Sequence, residues 1–158
     1  VGENTMLTAG DQAPEFHLPD ADMSMTDSAS LSGKPYVIYF YPKDDTPGCT
    51  MEGIEFTDLM EEFMQVGAAV IGVSKDTCVS HAQFRDKYGL SVGLLADVEG
   101  QLCDAYGVWQ EKEKHGEKKM GIGRSTFIVD SGGVIRHAMY DVKPKGHAEQ
   151  VLELVRAL

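Results

Sequence analysis

Two apolar runs flank a periodic stretch in the first half of the chain. Residues 36–41 read YVIYFY and residues 68–73 read AAVIGV. Runs of this length, rich in aromatic and β-branched side chains, are typical of strands that are covered on both faces. Between them, apolar side chains recur at the helical spacing i, i+3, i+4, i+7: Phe56, Leu59, Met60 and Phe63. This spacing predicts a helix that begins near Cys49 and ends at Gly67, and hence a strand–helix–strand unit.

The rest of the chain continues to alternate between the two kinds of pattern. A second helix is predicted over residues 78–88, a short extended piece over 94–96 and a short helix over 99–106. Residues 124–130 and 134–140 predict two strands joined as a hairpin by a Ser-Gly-Gly turn. A C-terminal amphipathic helix is predicted from four apolar positions: Val151, Leu154, Val155 and Leu158.

This order of elements predicts an α/β protein with a thioredoxin-like fold, in which a central mixed β-sheet is flanked by helices. Residues 15–18 and 25–26 predict two short strands ahead of it, an N-terminal β extension. No Pro-, Gly- or Ser-rich linker divides the chain, so we expect a single domain over residues 7–158. We treat residues 1–6 as an N-terminal tail outside that domain.

Charge excludes several classes of partner. The 158 residues contain 14 Lys and Arg against 25 Asp and Glu, a formal net charge of −11. Nucleic acids and anionic membranes bind clustered positive charge, so we expect neither as a partner. The one dense basic stretch, residues 112–119, alternates with glutamates and predicts a solvated loop. The five histidines show no ligand spacing and lie near no cysteine in the sequence, so we expect no metal site.

The three cysteines, Cys49, Cys78 and Cys103, are an odd number in a chain large enough to fold without cross-links. No C-x-x-C occurs, which excludes a local zinc ribbon or a thioredoxin-type dithiol. No apolar stretch exceeds eight residues and no basic N-terminal segment leads into an apolar one. We therefore expect no membrane span, no secretory signal and a reducing, cytoplasmic compartment.

The loop after the first buried strand is the candidate for chemistry. Ligands of open α/β sheets bind at the carboxyl ends of parallel strands, where residues 42–50 read PKDDTPGCT. Cys49 falls in the first turn of a helix, where unpaired N–H groups and the helix dipole stabilise a thiolate. Gly48 lets the backbone approach closely, and Thr46 places a hydroxyl one turn before the sulfur. On spacing alone, an equal alternative is that Cys49 is a small apolar residue in a helix cap and Thr46 only caps.

The spacing P-x-x-x-T-x-x-C, formed by Pro42, Thr46 and Cys49, resembles the active-site signature of the peroxiredoxins. The wider string YFYPKDDTPGCTMEG resembles the PrxQ subfamily, also called bacterioferritin comigratory proteins. The resemblance covers nearly the whole chain and is carried by three further strings: AGDQAPEFHLPD, LCDAYGVW and GIGRSTFIVD.

The resemblance implies a thiol-dependent peroxidase that reduces H2O2 and organic hydroperoxides and needs no metal or organic cofactor. Cys49 would be the peroxidatic cysteine, whose thiolate attacks the peroxide and becomes a sulfenic acid. Thr46 would hydrogen-bond the thiolate and the peroxide, and Pro42 would shield the pocket from water. Arg124 would hold the thiolate and the charge that develops on the leaving oxygen. Glu52 would support the site by positioning the arginine or by handling a proton.

The chain departs from the family pattern at the resolving cysteine. The two positions where the family carries that cysteine are Ile54 and, in our alignment, Arg85. Cys78 is a candidate because it begins the helix after the second strand, at the sheet edge of the active site; a disulfide would require local unwinding. Cys103 is a weaker candidate, since its surroundings predict a packed apolar side chain. The third possibility is a one-cysteine mechanism resolved by an external thiol.

The expected electron donor is thioredoxin, glutaredoxin or glutathione, and we expect a monomer. Two rival functions stay open. One is a thiol–disulfide oxidoreductase, against which the missing C-x-x-C counts. The other is a redox sensor or holdase in which oxidation of Cys49 changes partner binding.

Overall fold

Strands and helices alternate along the chain much as the apolar pattern predicts. The computed structural model describes residues 6–158, so the part of the predicted tail that covers residues 1–5 lies outside the described residues. The strands are β1 (His17–Pro19), β2 (Met25–Asp27), β3 (Tyr36–Phe40), β4 (Ala69–Ser74), β5 (Gly93–Ala96), β6 (Trp109–Lys114), β7 (Glu117–Ile122), β8 (Ser125–Val129) and β9 (Ile135–Met139). The helices are α1 (Pro47–Asp58), α2 (Met60–Gln65), α3 (Cys78–Tyr88), α4 (Gln101–Ala105) and α5 (His147–Arg156), with a 3-10 turn at Ser28–Leu31.

A mixed five-stranded sheet has the order β5-β4-β3-β8-β9. β3 is parallel to β4, and β4 is parallel to β5. β8 is antiparallel to β3, with Ser125 opposite Phe40. The carboxyl ends of β3 and β4 therefore meet the amino end of β8 at one edge of the sheet. This topology confirms the predicted thioredoxin-like sheet, and the antiparallel pair β1–β2 is the predicted N-terminal extension.

Both faces of the central sheet are covered. Successive side chains of a strand point to opposite faces, and all five residues of β3 are buried. On one face Tyr39 stacks on Phe56 of α1 with ring centroids 4.7 Å apart. On the other face Phe40 packs on Tyr106, just after α4, at 4.9 Å. Burial on both sides explains why this strand is a continuous apolar run rather than an alternating one.

The prediction of a solvated loop over residues 112–119 is wrong, because these residues belong to an exposed hairpin formed by β6 and β7. His115 and Gly116 at its tip both have positive φ, 56° and 78°. Two positive φ angles are typical of type I′ turns, whose twist matches that of the flanking strands. Exposed charged residues such as Glu111 and Lys112 follow one another along the strand. No apolar alternation marks the hairpin in the sequence.

The helices differ from prediction in detail. The helix predicted between β3 and β4 is interrupted at Leu59, so α1 and α2 are separate. α3 spans the predicted residues and ends at Gly89, whose φ of 64° suits a glycine C-cap. Leu158, predicted on the apolar stripe of the last helix, lies beyond α5 and is exposed. No helix in the described part of the chain is long and apolar enough to cross a bilayer.

Candidate active site

Cys49 lies where β3 leads into the amino end of α1. The helix begins at Pro47, a position that suits proline because a first-turn N–H has no partner within the helix. Thr46 precedes it as N-cap with extended backbone. Cys49 is thus the third residue of the helix, and it is 2% exposed. The sulfur lies in the first turn, as the sequence predicts, at the positive end of the helix dipole.

Arg124 reaches the sulfur from the neighbouring antiparallel strand. It directly precedes β8, whose first residue lies opposite the last residue of β3. Arg124 Nη2 is 3.3 Å from Cys49 Sγ, and Nη1 donates to Glu52 Oε1 at 2.7 Å. The fold therefore brings together three residues that the sequence analysis singled out, although 75 residues separate Cys49 from Arg124.

Gly48 leaves the space that the guanidinium group occupies. A Cβ added at Gly48 would lie 3.0 Å from Arg124 Nη2 and 3.5 Å from Pro144 Cγ. A side chain here would push the guanidinium away from the sulfur. Glycine at this position thus permits the close approach of Arg124, a contact that the sequence analysis did not predict.

Burial and charge act against each other on the ionisable groups of the site. Burial works to lower the pKa of Arg124, but the negative charges of Glu52 and Cys49 outweigh it and raise that pKa. Burial raises the pKa of Glu52 to about 7, against the lowering effect of Arg124. Glu52 is 1% exposed, and its Oε2 has no hydrogen-bond partner among residues 6–158. Its protonated and ionised forms therefore coexist near neutral pH.

Thr46 and Pro42 line the same loop but make no hydrogen bond to the sulfur in the described structure. Thr46 Oγ1 donates to the carbonyl oxygen of Lys43 at 2.8 Å. Its backbone carbonyl accepts from Thr50 N at 2.8 Å, the first hydrogen bond of the helix. Pro42 follows β3 and is exposed.

An aspartate that the sequence analysis passed over holds this loop in place. Asp44 is 7% exposed and accepts hydrogen bonds from Tyr41 Oη at 2.6 Å and Ser80 Oγ at 2.7 Å. Its Oδ2 is also 2.8 Å from Nδ1 of His81, which is fully buried on α3. The loop that carries Thr46 is therefore attached to α3. No local pattern signals this contact, because 37 residues separate Asp44 from His81.

The same contacts account for a group of possible metal ligands that histidine spacing did not reveal. One ligand atom each from Asp44, Asp76 and His81 lies within 4.8 Å of the others. These atoms already have protein partners: Asp76 Oδ2 accepts from Ser74 Oγ at 2.6 Å and from Asp44 N at 2.9 Å. We therefore interpret the group as an anchor for the loop.

The other two thiols occupy different environments. Cys78 is the half-buried first residue of α3, at the sheet edge where β4 ends. Thr77 caps that helix, accepting from Ser80 N at 3.1 Å. Cys103 is fully buried in the core on the opposite face of the sheet from Cys49, and burial raises its pKa. Cys78 thus lies at the same sheet edge as Cys49, whereas Cys103 is packed in the core on the other face.

Comparison with known proteins matches the site to a family. The profile of the AhpC/TSA family matches residues 9–138. Peroxiredoxin Bcp of Escherichia coli strain K12 is 38% identical over 150 residues, which cover 95% of this chain and 96% of the relative. Both the motif around Cys49 and the position of Arg124 lie within the matched region.

Two solved structures superpose on this chain over nearly their full length. The bacterioferritin comigratory protein of Xanthomonas campestris, described as reducing alkyl peroxides, superposes with a TM-score of 0.87 at 37% identity, covering 98% of both chains. PrxQ of Xylella fastidiosa gives a TM-score of 0.91 at 35% identity, again covering 98% of both. The chain therefore belongs to the AhpC/TSA family and is a peroxiredoxin of the PrxQ group, a thiol-dependent peroxidase that reduces hydroperoxides with electrons from a thiol.

Proposed function

We propose that Cys49 is the peroxidatic residue and that its substrates are H2O2 and organic hydroperoxides. The Cys49 thiolate attacks one peroxide oxygen in line with the O–O bond. That bond breaks, sulfur is oxidised to a sulfenic acid, and the other oxygen takes up a proton and leaves as water or alcohol. The observation that carries the proposal is the 3.3 Å contact of Arg124 Nη2 with a buried sulfur in the first turn of a helix.

The neighbouring groups stabilise the charge that moves during the attack. Arg124 and the first-turn N–H groups of α1 are fixed before the reaction, so they stabilise the thiolate and the leaving oxygen without reorganisation. Thr46 Oγ1 already donates to Lys43 O, which leaves its lone pairs to accept from the O–H of the incoming hydroperoxide. Pro42, in the same loop, limits the entry of water once the peroxide is bound.

Two routes for regenerating Cys49 are compatible with the structure. In the first, an external thiol from thioredoxin, glutaredoxin or glutathione attacks the sulfenic acid directly. In the second, Cys78 forms a disulfide with Cys49, and the external thiol reduces that disulfide. The shared sheet edge supports Cys78, and burial on the other face of the sheet counts against Cys103. A bond to Cys78 requires the first turn of α1 or α3 to unwind, because a disulfide tolerates little error in distance.

The cellular compartment and the oligomeric state of the enzyme are also proposals. We propose that the enzyme is a monomer, and we place it in the cytoplasm because its three cysteines are free thiols, which persist in reducing compartments. The redox chemistry belongs to the sulfur, so no metal or organic cofactor enters the steps above.

Intact mass spectrometry after one equivalent of H2O2, with and without dimedone, tests the assignment of Cys49. Wild-type protein should form either a dimedone adduct on Cys49 or a disulfide that includes it. Cys49→Ser should form neither and should lose peroxide consumption. Cys103→Ala, which removes a thiol from the other face of the sheet, should keep both properties. Undiminished peroxide consumption by Cys49→Ser would contradict the proposal.

The same samples separate the routes and the rival functions. If Cys78 is the resolving residue, the wild-type protein should lose two thiol hydrogens and form no dimedone adduct. Cys78→Ser should instead form the adduct. A stable adduct in wild-type protein would identify the external-thiol route. Efficient reduction of insulin would instead favour a thiol–disulfide oxidoreductase. An adduct without turnover would favour a redox sensor or holdase.

A further inference from the structure

Glu52 carries a buried oxygen that the steps above leave unused. Its Oε1 accepts from Arg124, while its Oε2 has no hydrogen-bond partner among the described residues. An ionised carboxylate with an unpaired buried oxygen is much more costly than a neutral carboxyl group in the same place. Burial and the unpaired oxygen therefore favour a neutral Glu52.

One guanidinium group serves two acids here. Arg124 contacts both Cys49 Sγ and Glu52 Oε1. With both acids ionised, the buried site holds an excess negative charge; with Glu52 neutral, the thiolate and Arg124 balance each other. After peroxide attack Cys49 is an uncharged sulfenic acid. Glu52 is then the remaining contact that can balance Arg124.

Building on the peroxidase function proposed above, we propose that Glu52 holds a proton while Cys49 is a thiolate and releases it when Cys49 becomes a sulfenic acid. A thiolate, a hydroperoxide ROOH and neutral Glu52 give a sulfenic acid, an alcohol or water ROH, and a Glu52 carboxylate. The S–O bond forms as the O–O bond breaks, and sulfur loses the electron pair. The leaving oxygen gains one proton and Glu52 loses one, so the net charge of the site is unchanged.

The ionisable groups around Glu52 are consistent with this transfer of a proton. Burial raises the pKa of Glu52 to about 7 against the lowering effect of Arg124, and the charge of Glu55 on α1 adds a smaller raising effect. Tyr39 of β3 stays neutral, because burial and then the charge of Glu52 raise its pKa. His147 of α5 also stays neutral near pH 7, because burial lowers its pKa to about 4. Glu52, with a pKa of about 7, changes charge near neutrality, and Arg124 is the cation that it contacts.

Infrared difference spectra of the full-length protein, before and after one equivalent of H2O2, test the exchange directly. At about pH 6, below the pKa of Glu52, the wild-type protein should lose the carbonyl band of a protonated carboxyl group and gain a carboxylate band. Glu52→Gln keeps an acceptor for Arg124 but has no proton to release, so both changes should vanish. Glu61→Gln, which replaces an exposed acid of α2, should give the wild-type spectra.

Proton counting with a pH indicator in weak buffer gives a second readout. Because the proton that Glu52 loses offsets the one that the leaving oxygen gains, oxidation of Glu52→Gln should take up about one proton more from solution than oxidation of wild-type protein. A merely structural role of Glu52 would leave the two proton counts equal.

The wild-type spectra alone decide between the outcomes, so the test does not depend on a variant that folds. Oxidation of Cys49 with no change in any carboxyl band would overturn the proposal for Glu52 and leave the peroxidase function intact. Failure of Cys49 to become oxidised at all would overturn both.

Discussion

Arg124 is the residue on which the chemistry of the site converges. Its planar guanidinium presents separate N–H groups to Cys49 Sγ and to Glu52 Oε1, which the point charge of a lysine cannot do with the same geometry. The contact to sulfur is 3.3 Å, and Gly48 is the neighbour that makes room for it. The position of one guanidinium group therefore controls the charge on the nucleophile and on its acidic neighbour.

Gly48→Ala should slow the reaction of Cys49 with H2O2 by about tenfold or more. The new Cβ would sit 3.0 Å from Arg124 Nη2 and displace it from the sulfur. Loss of one preorganised charge-stabilising donor costs about a hundredfold or more, and displacement removes part of that. Stopped-flow measurement of the second-order rate constant checks the expectation.

Gly93→Ala is the matched control, since an added Cβ there meets only Val70 O at 3.8 Å. It should react with H2O2 at the wild-type rate. Equal rates for Gly48→Ala and the wild type would show that the guanidinium does not need this space.

At the scale of elements, the loop of residues 42–46 and helix α3 behave as one unit. Asp44 is held by Tyr41, Ser80 and His81, and His81 Nε2 donates to Leu95 O of β5 at 2.9 Å. The loop between β3 and α1 is thus attached to α3 and, through His81, to β5. This attachment positions the loop that leads to Cys49, although the residues that hold it lie far away in the sequence.

Asp44→Ala should lower the free energy of unfolding by about 3 kcal/mol. The substitution removes the acceptor shared by the buried groups of Tyr41 and His81 and by the half-buried hydroxyl of Ser80, and each buried donor left without an acceptor costs about 1–3 kcal/mol. Urea unfolding followed by circular dichroism measures the change.

The adjacent Asp45 supplies the control, because it is exposed and pairs with Lys87 at the surface. Asp45→Asn tolerates the left-handed backbone at this position, where φ is 57°, and should cost at most about 1 kcal/mol. Similar losses in the two variants would argue against the buried anchor.

At the scale of the whole molecule, His147 makes stability depend on acidity. It is buried, lies 2.8 Å from Thr126 Oγ1 and meets the ring of Phe56 edge-on. Burial lowers its pKa from 6.5 to about 4. Below pH 6.5 the unfolded chain binds a proton at this position that the native protein does not. The contribution of His147 to stability is therefore complete above pH 6.5 and is lost as the pH falls towards 4.

The stability difference between wild-type protein and His147→Gln should accordingly shrink by about 2 kcal/mol between neutral pH and about pH 4. A comparison of the two proteins is needed because Glu52 acts in the opposite direction. Its pKa is raised from 4.5 to about 7, so its own contribution is lost as the pH rises through that window. Urea unfolding across the pH range provides the measurement.

His115→Asn, at the exposed tip of the β6–β7 hairpin, is the control and should parallel the wild type at every pH. A constant difference between wild-type protein and His147→Gln would show that His147 titrates alike in the folded and unfolded chains.

Elements whose packing follows a local repeat could be predicted from the sequence. β3 and β4 are continuous apolar runs because both faces are buried, and α3 ends at a glycine that adopts the left-handed C-cap. The β6–β7 hairpin could not be predicted, because its charged residues show no apolar alternation. It is defined instead by strand pairing and by a turn with two positive φ angles. The break at Leu59 likewise leaves the apolar spacing of the two helices unchanged.

The residues of the site also divide into those that the sequence indicated and those whose contacts only the structure shows. Pro42, Thr46 and Cys49 lie within eight residues and form a recognisable motif, and the family pattern indicated Arg124. The anchoring of Asp44 by His81 and the orphaned oxygen of Glu52 have no counterpart in the linear pattern. Contacts of this kind depend on which strands become neighbours.

By itself, the sequence determined the α/β class, the position of a thiol at the start of a helix and the family of the protein, because local periodicity and a contiguous motif carry that information. Only the tertiary structure decided that Arg124 touches Cys49 and Glu52 together, that Cys103 lies on the opposite face from Cys49, and that Asp44 holds the loop to α3. The physical reason is that strand order and register create these contacts. Burial then determines how much each contact contributes to the free energy, and this burial exists only in the folded chain.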